Sequence, residues 1–280
     1  MSDGNAVAEH YSRAQLLVAI EAGVAALGKT PETATIDDLA PVDEFHIGGR
    51  KASEEFLGQL ELVSTDHVLD VGCGLGGASR FAADRFGCRV TGIDLTGDYV
   101  ETGQVLCGWL GLTERVRLDQ GSALTMPYDD AGFDKAFMMH VGMNIAEKEA
   151  LFAEVFRVLK PGAVVGVYDV MLDSAEGLTY PVPWATSAET NAIAAPADYK
   201  AALAAAGFRV TAERNRRNFA LDFFARVRVA NAASAGPPPL GLHILMSESG
   251  AEKVANLAMN IAKGRIAPVE LIALKPEPNQ

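Results

Sequence analysis

The chain of 280 residues lacks the features that mark several large classes of protein. Its three cysteines, Cys73, Cys88 and Cys107, show neither metal-ligand spacing nor a disulfide framework, which is typical of a reducing compartment. No apolar run approaches the ~20 residues that span a bilayer. The N-terminus has neither the basic start nor the apolar core of a signal peptide. We therefore expect a cytoplasmic protein with no membrane span and no bound metal.

Positive charge is also scarce. There are 24 Lys and Arg residues against 36 Asp and Glu residues, a net charge of −12, and no basic run occurs. Because phosphate contacts need clustered Lys and Arg, nucleic acid is not expected as a partner. The apolar content of 49% suffices for a substantial core. The acidity is compatible with a cationic substrate, although acidic surfaces often serve only solubility.

From residue 67 onward, buried-strand patterns alternate with helical ones. This alternation predicts a doubly wound α/β sheet. The predicted strands are Val68–Val71, Arg89–Asp94, Val116–Asp119, Phe133–Met139, Ala163–Asp169, Phe208–Glu213 and Ala267–Leu274. The predicted helices are Ala14–Leu27, Lys51–Leu62, Gly77–Phe86, Gly97–Leu110, Ala146–Leu159, Ala197–Ala206, Arg216–Asn231 and Ser249–Lys263. Pro31–Pro41 is expected to be a polar connector, and Met171–Pro196 a loop or short insertion.

The segment His67–Gly77 is the most informative part of the chain. A short apolar strand ends in a glycine-rich turn that leads directly into a helix, and Asp70 stands just before the glycines. Such a turn lets a ligand approach the backbone closely. An acid at its entrance suits a ligand with a positive charge and no pyrophosphate. S-adenosylmethionine is such a ligand.

A dinucleotide site is the main alternative, since Gly72-x-Gly74-x-x-Gly77 also satisfies the NAD fingerprint and Asp94 follows about 20 residues later. Three features of the sequence argue against an NAD-dependent oxidoreductase. Asp70 would repel a pyrophosphate, and about 65 residues precede the first strand, whereas a dinucleotide domain often opens with it. A third is the segment Leu159–Gly162 with the apolar strand after it, which fits the fifth strand of class I methyltransferases.

These motifs resemble the class I S-adenosylmethionine-dependent methyltransferases. The similarity is tightest over residues 45–169, and is closest to the ubiquinone/menaquinone C-methyltransferases, the sarcosine/dimethylglycine N-methyltransferases and the tocopherol-type enzymes. It implies a Rossmann-like, doubly wound, seven-stranded sheet whose last strand is antiparallel, with N-terminal helices and helical cap insertions. Residues 1–65 would close over the cofactor, and residues 66–280 would form the core with cap insertions near 171–196 and 216–265, as one structural domain.

The resemblance also assigns the cofactor-binding residues. Asp70, Gly72 and Gly74 would hold the methionine part, Asp94 would accept both ribose hydroxyls, and Leu95 would lie against the adenine. Ser122 and Ala123 would border the adenine, although the family usually has an acid where Ser122 stands. The remaining residues implied around the methionine part and the sulfonium are Tyr11, His46, Gly49, Arg50 and His140.

The predicted reaction is an in-line methyl transfer to a small-molecule N, O or C nucleophile. Its main requirements are alignment and exclusion of water. A phenol or an acidic carbon also needs a general base, for which His140 and His46 are the candidates, with His243 less favoured. Asp169 is a candidate for a substrate-side role. A protein that binds the cofactor without catalysis stays an alternative. The acceptor is not encoded in any motif, and aromatic residues such as Trp184 and Phe223 fit an apolar substrate, core packing or a homodimer contact equally well.

Overall fold

Seven strands and nine α-helices make up the parts of the chain that the computed structural model describes, residues 3–233, 236–246 and 249–278. Side chains are described from residue 15 onward, apart from those of 231, 233 and the residues outside these ranges. The strands are β1 (His67–Val71), β2 (Arg89–Asp94), β3 (Val116–Gln120), β4 (Phe133–Met139), β5 (Leu159–Leu172), β6 (Arg209–Asn215) and β7 (Ile266–Leu274). The helices are α1 (Asp3–Ala26), α2 (Ile36–Asp43), α3 (Arg50–Leu57), α4 (Gly77–Phe86), α5 (Gly97–Trp109), α6 (Lys148–Val158), α7 (Pro196–Ala206), α8 (Arg217–Ala233) and α9 (Gly250–Ala262).

The strands form one sheet in the order β3-β2-β1-β4-β5-β7-β6. The first five strands are parallel, whereas β7 runs antiparallel between β5 and β6. The predicted doubly wound sheet with an antiparallel last strand is therefore confirmed. In such a sheet, ligands bind beyond the carboxyl ends of the parallel strands. Those ends bring Asp70, Asp94, His140 and Asp169 to one edge.

Apolar side chains cover both faces of the sheet, because alternate residues of a strand point to opposite faces. Leu69 and Val71 of β1 pack on one face with Leu151 of α6. Val68 packs on the other face with Phe56 of α3 and Phe81 of α4. The central strands β1, β5 and β7 are thus buried on both sides, as their apolar sequences predict, whereas the edge strand β6 is largely exposed.

The polar connector predicted at Pro31–Pro41 is wrong, since helix α2 begins inside it at Ile36. The side-chain oxygen of Thr35 accepts the amide N–H of Asp38, while the Asp38 carboxylate accepts the N–H of Thr35, a capping box that starts the helix. Leu39 and Val42 are then fully buried. Pro41 lies inside the helix, which is why this helix is hard to recognise in the sequence.

Two other elements are longer than predicted. Helix α1 begins at Asp3 rather than at Ala14. Strand β5 begins at Leu159, before the predicted Ala163, and runs on to Leu172. It includes Gly162, whose N–H donates to the carbonyl of Lys275 just past β7, so pairing with β7 extends the strand in a way the local sequence does not show.

The segment between β5 and α7 has little regular structure, as predicted, apart from a short 3-10 turn at Ala188–Thr190. Asn260 of α9 fixes it, because its side chain accepts the N–H of Thr179 at 3.0 Å and donates to the carbonyl of the same residue at 2.9 Å. Within the described ranges, no helix has the length and apolar character needed to cross a membrane.

Candidate active site

The glycine loop, residues 72–77, connects β1 to α4. Gly72, Gly74 and Gly76 all have positive φ angles, which favour glycine. The N–H groups of Gly72 and Cys73 donate to the carbonyl of Ile93 at 2.8 and 3.1 Å. A Cβ at Gly72 would lie 2.3 Å from Val141, whereas a Cβ at Gly74 would meet no atom within 4 Å. The loop is therefore packed at its start and open at Gly74, where a ligand can approach the backbone.

Asp94 lies at the end of β2, directly beside this opening. One carboxylate oxygen accepts the N–H of Gly74 and the other accepts the N–H of Thr96, both at 2.9 Å. A carboxylate has about four acceptor positions, so each oxygen can accept a further hydrogen bond. The next side chain, Leu95, is 73% exposed. Two oriented acceptors beside an exposed apolar side chain fit a ribose diol and a flat base.

The loop after β3 completes this side of the site. The N–H of Gly121 donates to the carbonyl of Asp94 at 2.9 Å, which places Ser122 and Ala123 next to Asp94. Both are partly buried. The Ser122 hydroxyl accepts the N–H of Leu124 at 3.2 Å and keeps its own proton for another partner.

Asp70 lies below the glycine loop and is buried. Its carboxylate accepts the hydroxyl of Ser79 at 2.6 Å, and burial raises its pKa to about 7. This contact joins the end of β1 to the first turn of α4. The structure thus gives Asp70 a role in fixing the loop, and its predicted contact with the methionine amine stays a prediction.

The C-terminal end of α2, with the segment that follows it, is held against the core by a buried ion pair. Asp43 accepts a hydrogen bond from the Arg80 guanidinium of α4 at 2.7 Å, and both side chains are essentially inaccessible to solvent. A Cβ at Gly77 would lie 2.6 Å from the Asp43 backbone and side chain, so glycine is needed for this close contact. Asp43 and Arg80 are absent from the sequence prediction, because nothing in their spacing of 37 residues indicates a pair.

The same segment brings His46 to the ends of β4 and β5. The rings of His46, His140 and Tyr168 lie close together, with centroids 6.0 Å apart for the two histidines and 4.9 Å for His140 and Tyr168. We call these three residues the histidine cluster. His140 has a φ of 58°, a left-handed conformation that is uncommon outside glycine and often marks functional sites. The sequence prediction names both histidines but misses Tyr168 as their partner.

Gly49 and Arg50 follow His46 along the chain. Gly49 has a φ of 53°, and a Cβ there would meet no atom within 4 Å. The Arg50 guanidinium hydrogen-bonds to Glu44, Asp37 and the carbonyl of Ile36, and it lies 4.6 Å above the ring of Phe81. Arg50 is therefore well occupied by this chain's own groups, and its predicted contact with a methionine carboxylate stays a prediction.

The remaining predicted site residues are Asp169 and Tyr11. Asp169 is fully buried, accepts the Tyr199 hydroxyl at 2.7 Å and the N–H groups of Met143 and Val170, and burial raises its pKa to about 7. These contacts give it a structural role between β5 and α7, and a substrate-side role stays a prediction. Tyr11 lies in α1, but its side chain is outside the described residues. Among the described residues, no group of three or more His, Cys, Asp or Glu is placed to hold a metal.

Part of the chain is similar in sequence to known proteins. Residues 68–162 match the model of the methyltransferase domain family. The sterol 24-C-methyltransferase of Eremothecium gossypii is 38% identical over 108 residues, which are 39% of this chain and 29% of that protein. Phosphoethanolamine N-methyltransferase 1 of Arabidopsis thaliana is 34% identical over 122 residues, 44% of this chain and 24% of that protein. The chain thus matches less than a third of the length of these relatives.

A solved structure extends the similarity to most of the fold. The geranyl diphosphate C-methyltransferase of Streptomyces coelicolor A3(2), in complex with Mg2+, geranyl diphosphate and S-adenosyl-L-homocysteine, superposes with a TM-score of 0.65 at 20% identity. The match covers 80% of this chain and 78% of that one. Because the identity is low, this match shows a likeness of fold alone.

Proposed function

We propose that this chain, which carries a class I S-adenosylmethionine-dependent methyltransferase domain, transfers the methyl group of S-adenosylmethionine to a small-molecule nucleophile. The observation that carries the proposal is the pairing of Gly74 with Asp94. Gly74 leaves open space over a positive-φ backbone, and Asp94 offers two fixed acceptors beside it. When bound, the cofactor supplies a methyl group activated by a sulfonium.

The residues around this pair have defined tasks in the proposal. Asp94 accepts the ribose hydroxyls, Leu95 packs on the adenine, and Ser122 with Ala123 borders it. The glycine loop lets the methionine part pass close to the backbone. Residues 1–65 close over the cofactor from the other side, through the segment that carries His46. This closure keeps water from the reacting atoms.

The proposed acceptor is a small and largely apolar molecule. Ile47, next to His46, packs in one apolar cluster with Leu257 and Ile261 of α9, and Trp184 and Phe223 pack against the same cluster. An acceptor that reaches the histidine cluster from this side meets apolar and aromatic walls. Methyltransferases named for sterol and geranyl diphosphate substrates, among those matched, support such an acceptor, whereas the phosphoethanolamine enzyme shows that the domain also serves polar ones.

We further propose a cytoplasmic location, because Cys73, Cys88 and Cys107 are free thiols. A net charge of −12 supports the absence of a nucleic-acid partner. A homodimer stays part of the proposal, since exposed apolar residues such as Val229 are available for a contact.

The test is calorimetric titration with S-adenosylmethionine, S-adenosylhomocysteine and NAD in parallel. We expect micromolar binding of both adenosyl compounds and none of NAD. Binding of NAD alone would overturn the proposal. Transfer of labelled methyl to any acceptor then separates an enzyme from a protein that only binds the cofactor.

A further inference from the structure

The two histidines of the cluster have different hydrogen-bond partners. The Nε2 atom of His140 accepts the backbone N–H of Ile47 at 3.3 Å, and its Nδ1 atom lies 3.3 Å from the carbonyl oxygen of Tyr168. An amide N–H only donates and a carbonyl only accepts, so the ring proton is on Nδ1. Burial and the nearby His46 lower the pKa of His140 to about 3. His140 is thus a neutral ring with both nitrogens committed to backbone groups.

His140 and Tyr168 both hydrogen-bond to the backbone of Ile47. Its N–H donates to His140, and its carbonyl accepts the Tyr168 hydroxyl at 2.8 Å. The following residue, Gly48, has a φ of 101° and packs so closely on Phe219 that a Cβ would lie 2.3 Å from that ring. Because the backbone is fixed on this side, the position of His46 is fixed as well.

His46 is oriented through its Nε2 atom. This atom lies 3.2 Å from a carboxylate oxygen of Glu44 and 3.1 Å from the hydroxyl oxygen of Ser53. Ser53 donates its one proton to the same Glu44 oxygen at 2.6 Å, so it acts as an acceptor toward His46. Both neighbours of Nε2 are therefore acceptors. Nε2 therefore carries a ring proton, and in the neutral ring Nδ1 has a free lone pair.

Glu44 is ionised in this arrangement. Burial alone would raise its pKa, but the hydrogen bonds from His46 and Ser53 and the charge of Arg50 hold the pKa below its usual value. The Nδ1 atom of His46 is buried and finds no hydrogen-bond partner among the residues that the structure describes. A buried polar atom without a partner destabilises the folded protein. A buried, oriented nitrogen without a hydrogen-bond partner calls for a role in the site.

We infer that Nδ1 of His46 takes the proton of the methyl acceptor, and that Glu44 and Ser53 position His46 for this step. The inference rests on the proposed function. As the acceptor atom bonds to the methyl carbon, the carbon–sulfur bond breaks and its electron pair stays on sulfur. The proton leaves the acceptor for Nδ1, and the resulting imidazolium lies beside the Glu44 carboxylate. Water removes the proton after the product leaves.

The inference narrows the class of acceptor. A base is useful only when the reacting atom bears a proton that has to leave. A tertiary amine has no such proton, whereas a hydroxyl or an acidic C–H does. Together with the apolar cluster around Ile47, the geometry points to an apolar molecule that carries a hydroxyl or an acidic C–H.

The first test needs no acceptor. Nitrogen-15 spectra of the histidine rings at pH 7.5, with His46→Gln to assign the signals, report which ring nitrogen carries the proton. We expect His46 protonated on Nε2 and His140 on Nδ1. In Glu44→Gln, whose amide both donates and accepts, we expect His46 to show a mixture of the two tautomers. A proton on Nδ1 of His46 in the unmodified protein would overturn the inference.

The second test measures methyl transfer from labelled S-adenosylmethionine to 2-naphthol and related apolar phenols, with a tertiary aliphatic amine in parallel. For a phenol that is methylated, we expect His46→Gln to lower kcat by about 100-fold or more, and Glu44→Gln by about 10-fold. Affinity for S-adenosylhomocysteine should change less than about threefold. His67→Gln is the control, since His67 lies at the opposite, amino end of β1. An unchanged kcat in His46→Gln, or methylation of the amine alone, would overturn the inference.

The two proposals fail in different ways. If S-adenosylhomocysteine does not bind, the proposed function fails while the ring spectra still report the tautomer of His46. If it binds and His46→Gln retains full activity, only the inference about His46 fails.

Discussion

The glycine loop and the histidine cluster lie at the same edge of the sheet, but they are built differently. In the glycine loop, the key hydrogen bond joins Gly74 to Asp94, 20 residues apart on neighbouring strand ends. In the histidine cluster, the contacts of Ile47 reach His140 and Tyr168, 93 and 121 residues away. One half of the site is thus a property of a single βαβ unit, and the other exists only when the N-terminal segment docks on the finished sheet.

The largest expected effect tests the first half. In Asp94→Ala, we expect the Kd for S-adenosylhomocysteine to rise by about 100-fold or more, because hydrogen bonds to a charged group contribute about 1.5–3 kcal/mol each. Calorimetry measures the change. Asp98→Ala, in the first turn of α5, removes a nearby charge without touching the proposed ribose contacts and should bind normally. A change below about threefold in Asp94→Ala would place the cofactor elsewhere.

The difference between the two halves explains what the sequence reveals. The glycine loop, Asp94 and the sheet topology are predictable because adjacent residues carry the whole pattern. Strand ends, turns and an acid at a fixed distance are local features. The match to β4 is complete for the same reason, since the last four residues of Phe133–Met139 are an apolar, buried run.

The histidine cluster is predictable only in part. His46 and His140 stand out as residue types, but their roles depend on partners that no spacing indicates. Glu44 and Ser53 orient His46, and the Tyr168 hydroxyl fixes Ile47, through contacts that only the folded chain creates. Helix α2 escapes prediction for a related reason, because Leu39 and Val42 become a core face only when α2 packs on the rest of the protein.

As the pH falls, the histidine cluster should lose stability before the glycine loop does. The pKa of His140 is about 3 in the folded protein, against about 6.5 in an unfolded chain. Below about pH 6.5 the unfolded chain therefore binds a proton that the folded one does not, and stability falls as the pH falls toward 3. Burial raises the pKa of Asp70 and Asp169 to about 7. The folded protein therefore binds these two protons before the unfolded chain does, so both carboxyl groups increase the stability of the protein as the pH falls below 7.

His140→Asn separates these contributions, because it removes the histidine and keeps both carboxyl groups. From urea unfolding at pH 7 and pH 4, we expect the wild-type protein to lose about 3 kcal/mol more than the variant over this range. Cofactor affinity at pH 7 should stay within about fivefold in the variant, since the glycine loop is intact. Equal losses in the two proteins would show that His140 is not kept neutral by the fold.

The smallest expected effect separates two reasons for glycine at position 74, the open space beside it and its positive φ. Gly74 and Gly111 both have a positive φ, 54° and 64°, and a Cβ at either position meets no atom within 4 Å. Alanine should therefore cost both about 1–2 kcal/mol in unfolding free energy. Only at Gly74 does the new methyl group enter the proposed path of the cofactor, so Gly74→Ala should raise the Kd for S-adenosylhomocysteine by about 10-fold, or about 1.4 kcal/mol, while Gly111→Ala leaves it unchanged. Equal affinities in the two variants would mean that backbone strain, rather than contact with a ligand, accounts for glycine at this position.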